Sequence, residues 1–314
     1  MSCQAILFLV FNRPDTTRKV FETIRKAQPL RLYVASDGPR LEKSGEDDQV
    51  REVQKIATKV DWNCEVKTFF RDRNLGCKMA VSSAITWFFK HEEDGIILED
   101  DCVPSQSFFP YCQELLEKYR DDTRIMAISG DNFQKKKKHS SSSYYFSRYP
   151  HCWGWATWKR AWTFYDGMLL AWPEIKEERL LGDIGSGEDG FLNYWSRIFD
   201  NCYAGKIDSW AYPWTFSCWL QSGMTVLPNV NLVSNIGFGI EATHTKKVDS
   251  ISKTSVGEMD FPMLHPEYVI RNFVADRYTD KHIFNIVQPS ASKRRSLGKM
   301  LHAMYEQLNI LRTR

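Results

Sequence analysis

The sequence lacks most of the features that would assign a chain at sight. Its eight cysteines, at 3, 64, 77, 102, 112, 152, 202 and 218, form no Cys-x-x-Cys pair and no zinc-finger spacing. Neither a structural zinc site nor a dithiol redox motif is therefore indicated. No stretch approaches the roughly 20 apolar residues that a membrane span needs. The opening residues, MSCQAILFLVFNRPD, carry no basic n-region and no small-residue cleavage site. These absences lead to the expectation of a cytoplasmic protein with reduced thiols and no membrane anchor of its own. The formal net charge is only +3, and the basic clusters at residues 135–138 and 293–314 accompany no nucleic-acid-binding motif, so no nucleic-acid partner is expected. No glycine-rich loop follows the first apolar run, which argues against a methyltransferase-type cofactor loop. No internal repeat is present.

What the chain does have is a globular core composition and an aromatic-rich second half. An apolar fraction of 43% over 314 residues suits one large α/β domain, or a domain with an appendage. Many of the eleven Trp and thirteen Tyr fall between residues 144 and 219, and such side chains build both cores and sugar-stacking walls.

The first hundred residues read as repeated strand-then-helix units, the pattern of a largely parallel sheet covered on both faces. A continuous apolar run predicts a buried strand at residues 5–11, and further strands are read at 30–35, 64–70 and 94–98. Helical spacing falls at 16–26, 47–59 and 76–90, with Asp15 as a plausible N-cap for the first. A further helix is read at 108–119 and a strand at 125–129. This order puts Asn12-Arg13, Asp37, the 71–76 segment and Glu99-Asp100-Asp101 just past strand C-termini, the edge where open α/β sheets bind ligands. Residues 134–143 (QKKKKHSSSS) read as a polar, low-complexity loop. Residues 296–311 have apolar positions at helical spacing with basic flanks.

Glu99-Asp100-Asp101 is the sharpest signal. Three adjacent carboxylates repel one another unless something positive sits among them. A hard divalent cation does so, and Mg²⁺ or Mn²⁺ typically takes one or two protein carboxylates plus substrate phosphates. The bland reading, a solvated acidic turn, suits a bare triplet better than one that ends a buried strand.

The run Ile97-Leu98-Glu99-Asp100-Asp101-Cys102-Val103-Pro104, followed by Phe108-Phe109 and Tyr111, resembles glycosyltransferases of the GT-A fold. In motifs it is similar to the animal N-acetylglucosaminyltransferase that initiates complex N-glycans. From about residue 4 to about residue 285 the chain resembles a bacterial group of glycosyltransferase-like proteins labelled hemolytic-protein-like. The resemblance implies a mixed, mostly parallel GT-A sheet flanked by helices over residues 1–245, with residues 246–314 as an extension ending in a basic amphipathic helix. It implies that Asp101 binds the metal, Mn²⁺ or Mg²⁺, and that Glu99 and Asp100 contact the ribose or metal-bound waters. Arg13 would meet the donor phosphates and Asp37 the nucleobase. Arg71 and Asn74-Leu75-Gly76 would line the same pocket, with Lys78 as a phosphate contact. His244 would return from a late segment as a further metal ligand.

An inverting transferase needs a carboxylate to deprotonate the acceptor hydroxyl. Asp208 and Asp189 are the candidates, with Asp208 favoured. The N-glycan enzyme carries its base in a Trp-Asp-Asp-Trp stretch, whereas Trp210-Ala211-Tyr212-Pro213-Trp214 has no acid between its tryptophans. Trp153 and Trp155 are candidates for a sugar wall, with core packing as the competing role. The expected activity is transfer from a nucleotide-diphosphate sugar to a glycan or lipid-linked acceptor in surface polysaccharide assembly. The basic C-terminal helix suits either peripheral contact with the inner face of the membrane or docking onto the domain or a second subunit. Two other readings are a sugar-phosphate nucleotidyltransferase and a non-catalytic carbohydrate-binding protein on the same fold.

Overall fold

A computed structural model describes residues 5–135, 137–237 and 255–286. Strands β1 (Ala5–Val10), β2 (Arg31–Ser36), β3 (Glu65–Phe70) and β4 (Asp94–Glu99) alternate with helices α1 (Pro14–Ala27), α2 (Glu46–Ala57) and α3 (Cys77–Phe88). The short β5 (Cys102–Pro104) precedes α4 (Phe108–Lys118), β6 (Ile125–Ser129), β7 (Tyr144–Ser147) and β8 (Trp155–Trp158). Helices α5 (Lys159–Trp162), α6 (Trp172–Glu177), α7 (Leu181–Ile184), α8 (Asp189–Tyr203) and α9 (Ala211–Leu220) follow, then β9 (Met224–Pro228), β10 (Val233–Asn235) and α10 (Phe273–His282).

Eight strands form one sheet in the order β3-β2-β1-β4-β8-β6-β9-β7. The pairs β3–β2, β2–β1, β1–β4 and β6–β9 are parallel, while β8 and β7 run against their neighbours. The fold class is therefore α/β, with a mixed, mostly parallel sheet flanked by helices. β5 and β10 pair separately as a small antiparallel ribbon.

Alternation explains why β1 reads as one unbroken apolar run. Ile6, Phe8 and Val10 enter the core on one face of the sheet, and Ala5, Leu7 and Leu9 that on the other. Both faces are covered, so neither set tolerates polarity. β3 is different: as an edge strand it is only partly buried. The aromatic stretch builds a third core, in which Tyr149, Trp172, Trp195, Phe199, Phe216 and Trp219 pack between the short helices.

The chain winds outward from β1 to β2 and β3, then crosses back to place β4 on the other side of β1. Such a reversal opens a crevice at the strand C-termini. The parallel register sets Leu9 beside Glu99, so Phe11-Asn12-Arg13 and the acidic triplet emerge side by side.

Residues 255–286 share the main core. Met259 and Met263 join the cluster on one sheet face, and Asn272 N–H donates to the Phe146 carbonyl at 2.7 Å. Beneath α10, Arg148 pairs with Asp280 at 2.6 Å, both nearly fully buried, and Ser147 Oγ donates to Asp276 at 2.6 Å. Residues 134, 135 and 137–143 form a loop anchored by Gln134, whose amide donates to Thr279 Oγ1 at 3.0 Å. The 296–311 helix lies outside the described residues. Among the described residues no helix is long and apolar enough to cross a membrane.

Candidate active site

A cleft of about 1260 Å³ opens over the C-terminal ends of β1, β2 and β4. Arg13, Asp37, Arg71, Asn74, Glu99, Asp100, Asp101, Trp153 and Asp208 all line it. Residues from six separate sequence segments thus meet at one rim.

Arg13 sits among the acids. Its Nη1 donates to Asp101 Oδ2 at 2.9 Å and lies 4.0 Å from Asp100 Oδ1. The Phe11 backbone N–H donates to Asp100 Oδ2 at 3.2 Å. Asn235 Nδ2 donates to Asp101 Oδ1 at 3.3 Å, and the Asn235 carboxamide accepts the Gly237 N–H at 2.8 Å. One guanidinium therefore faces three carboxylates. Burial pushes the Glu99 carboxyl up, and the charges of Asp101 and Asp100 push it further. Asp100 is raised chiefly by burial, against the pull of Arg13.

Among the described residues no three His, Cys, Asp or Glu side chains converge as a complete metal cage. The set does fit a hard cation shared with a ligand. It offers oxygen donors, a surplus of negative charge over Arg13, and an open side facing the cleft, as suits Mg²⁺ or Mn²⁺ completed by phosphate oxygens. His244 lies outside the described residues.

The other end of the cleft is built by loops tied together. Asp37 accepts the Gly38 N–H at 3.0 Å and the Leu75 N–H at 3.0 Å. Burial raises its carboxyl, while those amides pull it back. Asn74 Nδ2 donates to the Gly38 carbonyl at 3.0 Å. The loops touch so closely that a Cβ on Gly38 would fall 2.4 Å from the Arg73 nitrogen. Arg71 Nη2 donates to Ser83 Oγ at 2.6 Å and stacks over Phe69.

Four expected residues sit differently from one another. The two oxygens of Asp208 accept the Cys77 and Lys78 backbone N–H groups at 2.8 and 2.9 Å, so this residue caps α3 across the cleft. Asp189 occupies the exposed first turn of α8 and does not line the cleft. Lys78 donates to the Gly167 carbonyl at 3.3 Å and does not line it either. Trp155 is fully buried, stacked on Trp210 at 5.4 Å and packed against Trp162 and Trp214. It supports the cleft wall through Trp210 and does not face a ligand.

Sequence reasoning passed over several cleft residues. Buried Glu46 accepts from Asn12 Nδ2 at 2.9 Å and from the Arg40 N–H at 2.7 Å, and the Arg40 guanidinium holds its carboxyl below the usual range. Asp131, two residues past β6, lies at the cleft with zero exposure. The rule that singled out polar segments past strand ends, applied to β6, would have found it. Ile283 and Phe284 also line the cleft, and no local pattern in the sequence marks them.

No family model and no curated protein matches this chain. Solved structures match about half of it. They include HddC from Yersinia pseudotuberculosis (10% identity, 50% of this chain and 77% of that one, TM-score 0.30). UDP-glucose pyrophosphorylase complexed with UDP-glucose matches at 9% identity, over 51% and 70% of the two chains, with a TM-score of 0.27. 4-Diphosphocytidyl-2C-methyl-D-erythritol synthase from Anaerococcus prevotii DSM 20548 matches at 9% identity, over 52% and 75%, with a TM-score of 0.32. Scores this low assign no family and no activity. The α/β class follows from the strand order itself.

Proposed function

We propose that this chain is a metal-assisted glycosyltransferase that takes a sugar from a nucleotide-diphosphate donor. The observation that carries the reading is the meeting of Arg13 with Glu99, Asp100 and Asp101 at the reversal point of the sheet, over a cleft large enough for a nucleotide sugar. The tied loops of Asp37 and Asn74, with Arg71, form the nucleoside end. Arg13 meets the diphosphate. Asp101, with Glu99 and Asp100 beside it, would hold Mn²⁺ or Mg²⁺. Such a cation, when bound, offsets the charge that builds on the leaving diphosphate.

The rest of the work falls to the chain's own groups. Trp153 gives an aromatic wall on the sugar side. Asp208 is the base: of the two candidate carboxylates it is the one at the cleft, exposed, and held in place by two amides. As the acceptor hydroxyl attacks the anomeric carbon, a new C–O bond forms and the bond to the diphosphate breaks. The proton passes to Asp208 and the nucleoside diphosphate leaves. Attack opposite the leaving group inverts the anomeric centre. The acceptor class is a glycan or a lipid-linked saccharide.

Thermal shift with nucleoside diphosphates and nucleotide sugars, with and without Mn²⁺, tests the reading. A ligand at a hundredfold excess over its Kd stabilises the fold by about 2.7 kcal/mol, so one nucleotide family should raise the melting temperature only when metal is present. No shift with any nucleotide would sink the proposal. Release of pyrophosphate from a nucleoside triphosphate and a sugar phosphate would identify a nucleotidyltransferase instead. Glycan binding that survives Glu99→Ala/Asp101→Ala without turnover would identify a lectin.

A further inference from the structure

Asp131 is a cleft carboxylate that no cation neutralises among the described residues. It follows Gly130 at the C-terminal end of β6 and is wholly buried. Its Oδ2 accepts the Trp153 backbone N–H at 3.2 Å, while Oδ1 has no hydrogen-bond partner among the described residues. Arg13 serves Asp100 and Asp101, and Arg40 serves Glu46. Among the described residues Asp131 forms no ion pair.

The backbone around it is pinned. Gly130 N–H donates to the Gly154 carbonyl at 2.8 Å, and the Gly130 carbonyl accepts the Leu232 N–H at 2.8 Å. Asn132 N–H donates to Asn231 Oδ1 at 2.9 Å. A Cβ on Gly130 would fall 2.5 Å from Val233 and 2.6 Å from Phe108, so the turn is wedged tight and has little room to relax. A buried polar atom left unpaired costs free energy, and here the fold keeps one beside its own cleft.

We propose that Asp131 is the hydroxyl-reading residue of a sugar subsite: its free Oδ1 takes a ring hydroxyl, and the Phe133, His151 and Trp153 cluster takes the apolar ring face. The chemistry excludes the other ligand classes. Once ionised, the carboxylate would repel a phosphate, and an apolar group would leave Oδ1 unpaired in either protonation state. A metal cage is not formed there among the described residues. A hydroxyl both donates and accepts, so it satisfies the carboxyl in either protonation state. Phe133 meets His151 at 4.8 Å and Trp153 at 4.9 Å, both edge to face, which sets an aromatic surface next to the acid. The proposal requires a small turn of the carboxyl, or of the partly exposed Trp153 ring, to bring the buried Oδ1 to the cleft. Burial also raises the Asp131 carboxyl to about 8, in keeping with a group that lacks a cation.

Identifying the ring as the donor's sugar rests on the function proposed above; the subsite itself is tested separately. Saturation-transfer NMR with free glucose, galactose, mannose and N-acetylglucosamine is run on the wild type, Asp131→Asn and Asp131→Ala. The expected result is binding of at least one sugar by the wild type and a loss of about tenfold or more in both variants. Asn keeps an acceptor for the Trp153 N–H, so Asp131→Asn should melt no lower than the wild type at alkaline pH. The wild-type protein labelled at its Asp carboxyls should show the Asp131 resonance move as sugar is added, which needs no variant. Equal binding by the wild type and Asp131→Asn, an unmoved resonance, or no sugar bound by the wild type overturns the proposal. Sugar binding that depends on Asp131 without any metal-dependent nucleotide shift would keep the subsite and remove the glycosyltransferase reading.

Discussion

Replacing Arg13 by Met should destabilise the fold in a strongly pH-dependent way. The guanidinium is 23% exposed, while the Asp100 and Asp101 side chains are at 7% and 13%, so the pair is mostly shielded from water. Removing one partner of a buried pair costs about 3–5 kcal/mol, because the other charge is left uncompensated. Partial exposure of Arg13 places this case near the lower end, about 3 kcal/mol. The sign with pH follows from the acids. Glu99 and Asp100 are raised in the folded state, so folding takes up protons, and their contribution to stability falls as pH rises through those values. Arg13 opposes this only while the acids are ionised. Its loss should therefore cost less at about pH 5, where the Asp101 contact is what remains, than at about pH 9. Urea unfolding of both proteins at pH 5, 7 and 9 measures the difference. A deficit equal at all three would refute the reasoning, since it would mean that Arg13 acts by packing and not by charge.

Two further substitutions test the same centre from other sides. Gly237→Ala would place a Cβ 2.1 Å from Asp101 Oδ2 and 2.7 Å from Arg13 Nη1. It should cost about 1–3 kcal/mol and abolish the metal-dependent nucleotide shift; a normal shift would show that Asp101 does not hold the metal. Asp208→Ala should lose about 0.5–2 kcal/mol through the uncapped α3, whereas Asp208→Asn keeps one acceptor and most of that stability. Both should lower kcat by about 10²–10⁴ with donor affinity unchanged if Asp208 is the base, and turnover retained by Asp208→Asn would remove that role.

The doubly wound half of the fold was legible because it rests on local signals. Buried parallel strands need continuous apolar runs, and β1, β2 and β4 supply them within a residue or two of the expected bounds. The rim followed from the same signals, since a residue just past a parallel strand has little choice but to sit at the C-terminal edge. What the sequence could not show were contacts set by tertiary packing. Trp153 and Trp155 are two residues apart, yet one lines the cleft and the other is sealed beneath Trp210. Lys78 follows Gly76 and Cys77, which line the cleft, but its ammonium turns to Gly167. Asp189 and Asp208 look alike in sequence, each in a polar segment near aromatics. Only the packing of α8 and the loop before α9 separates them.

The same separation distinguishes Asp131 from Asp208, both carboxylates of one cleft. Asp208 is exposed, and each of its oxygens already accepts a backbone amide. An acceptor arriving from solvent would meet it without rearrangement, as the proposed base for an incoming hydroxyl requires. Asp131 is buried, with one oxygen bound and one without a partner among the described residues. It cannot meet an acceptor in passing, but it can discriminate among rings already seated in the cleft. A hydroxyl that fills the vacant position relieves a polar atom the fold leaves unpaired, while a ring lacking that hydroxyl leaves the cost in place. Sites built to satisfy a buried polar group reject analogues that lack the partner far more strongly than apolar pockets reject a misplaced methylene. On that ground the proposed choice of sugar falls to Asp131 and the proposed chemistry of transfer to Asp208.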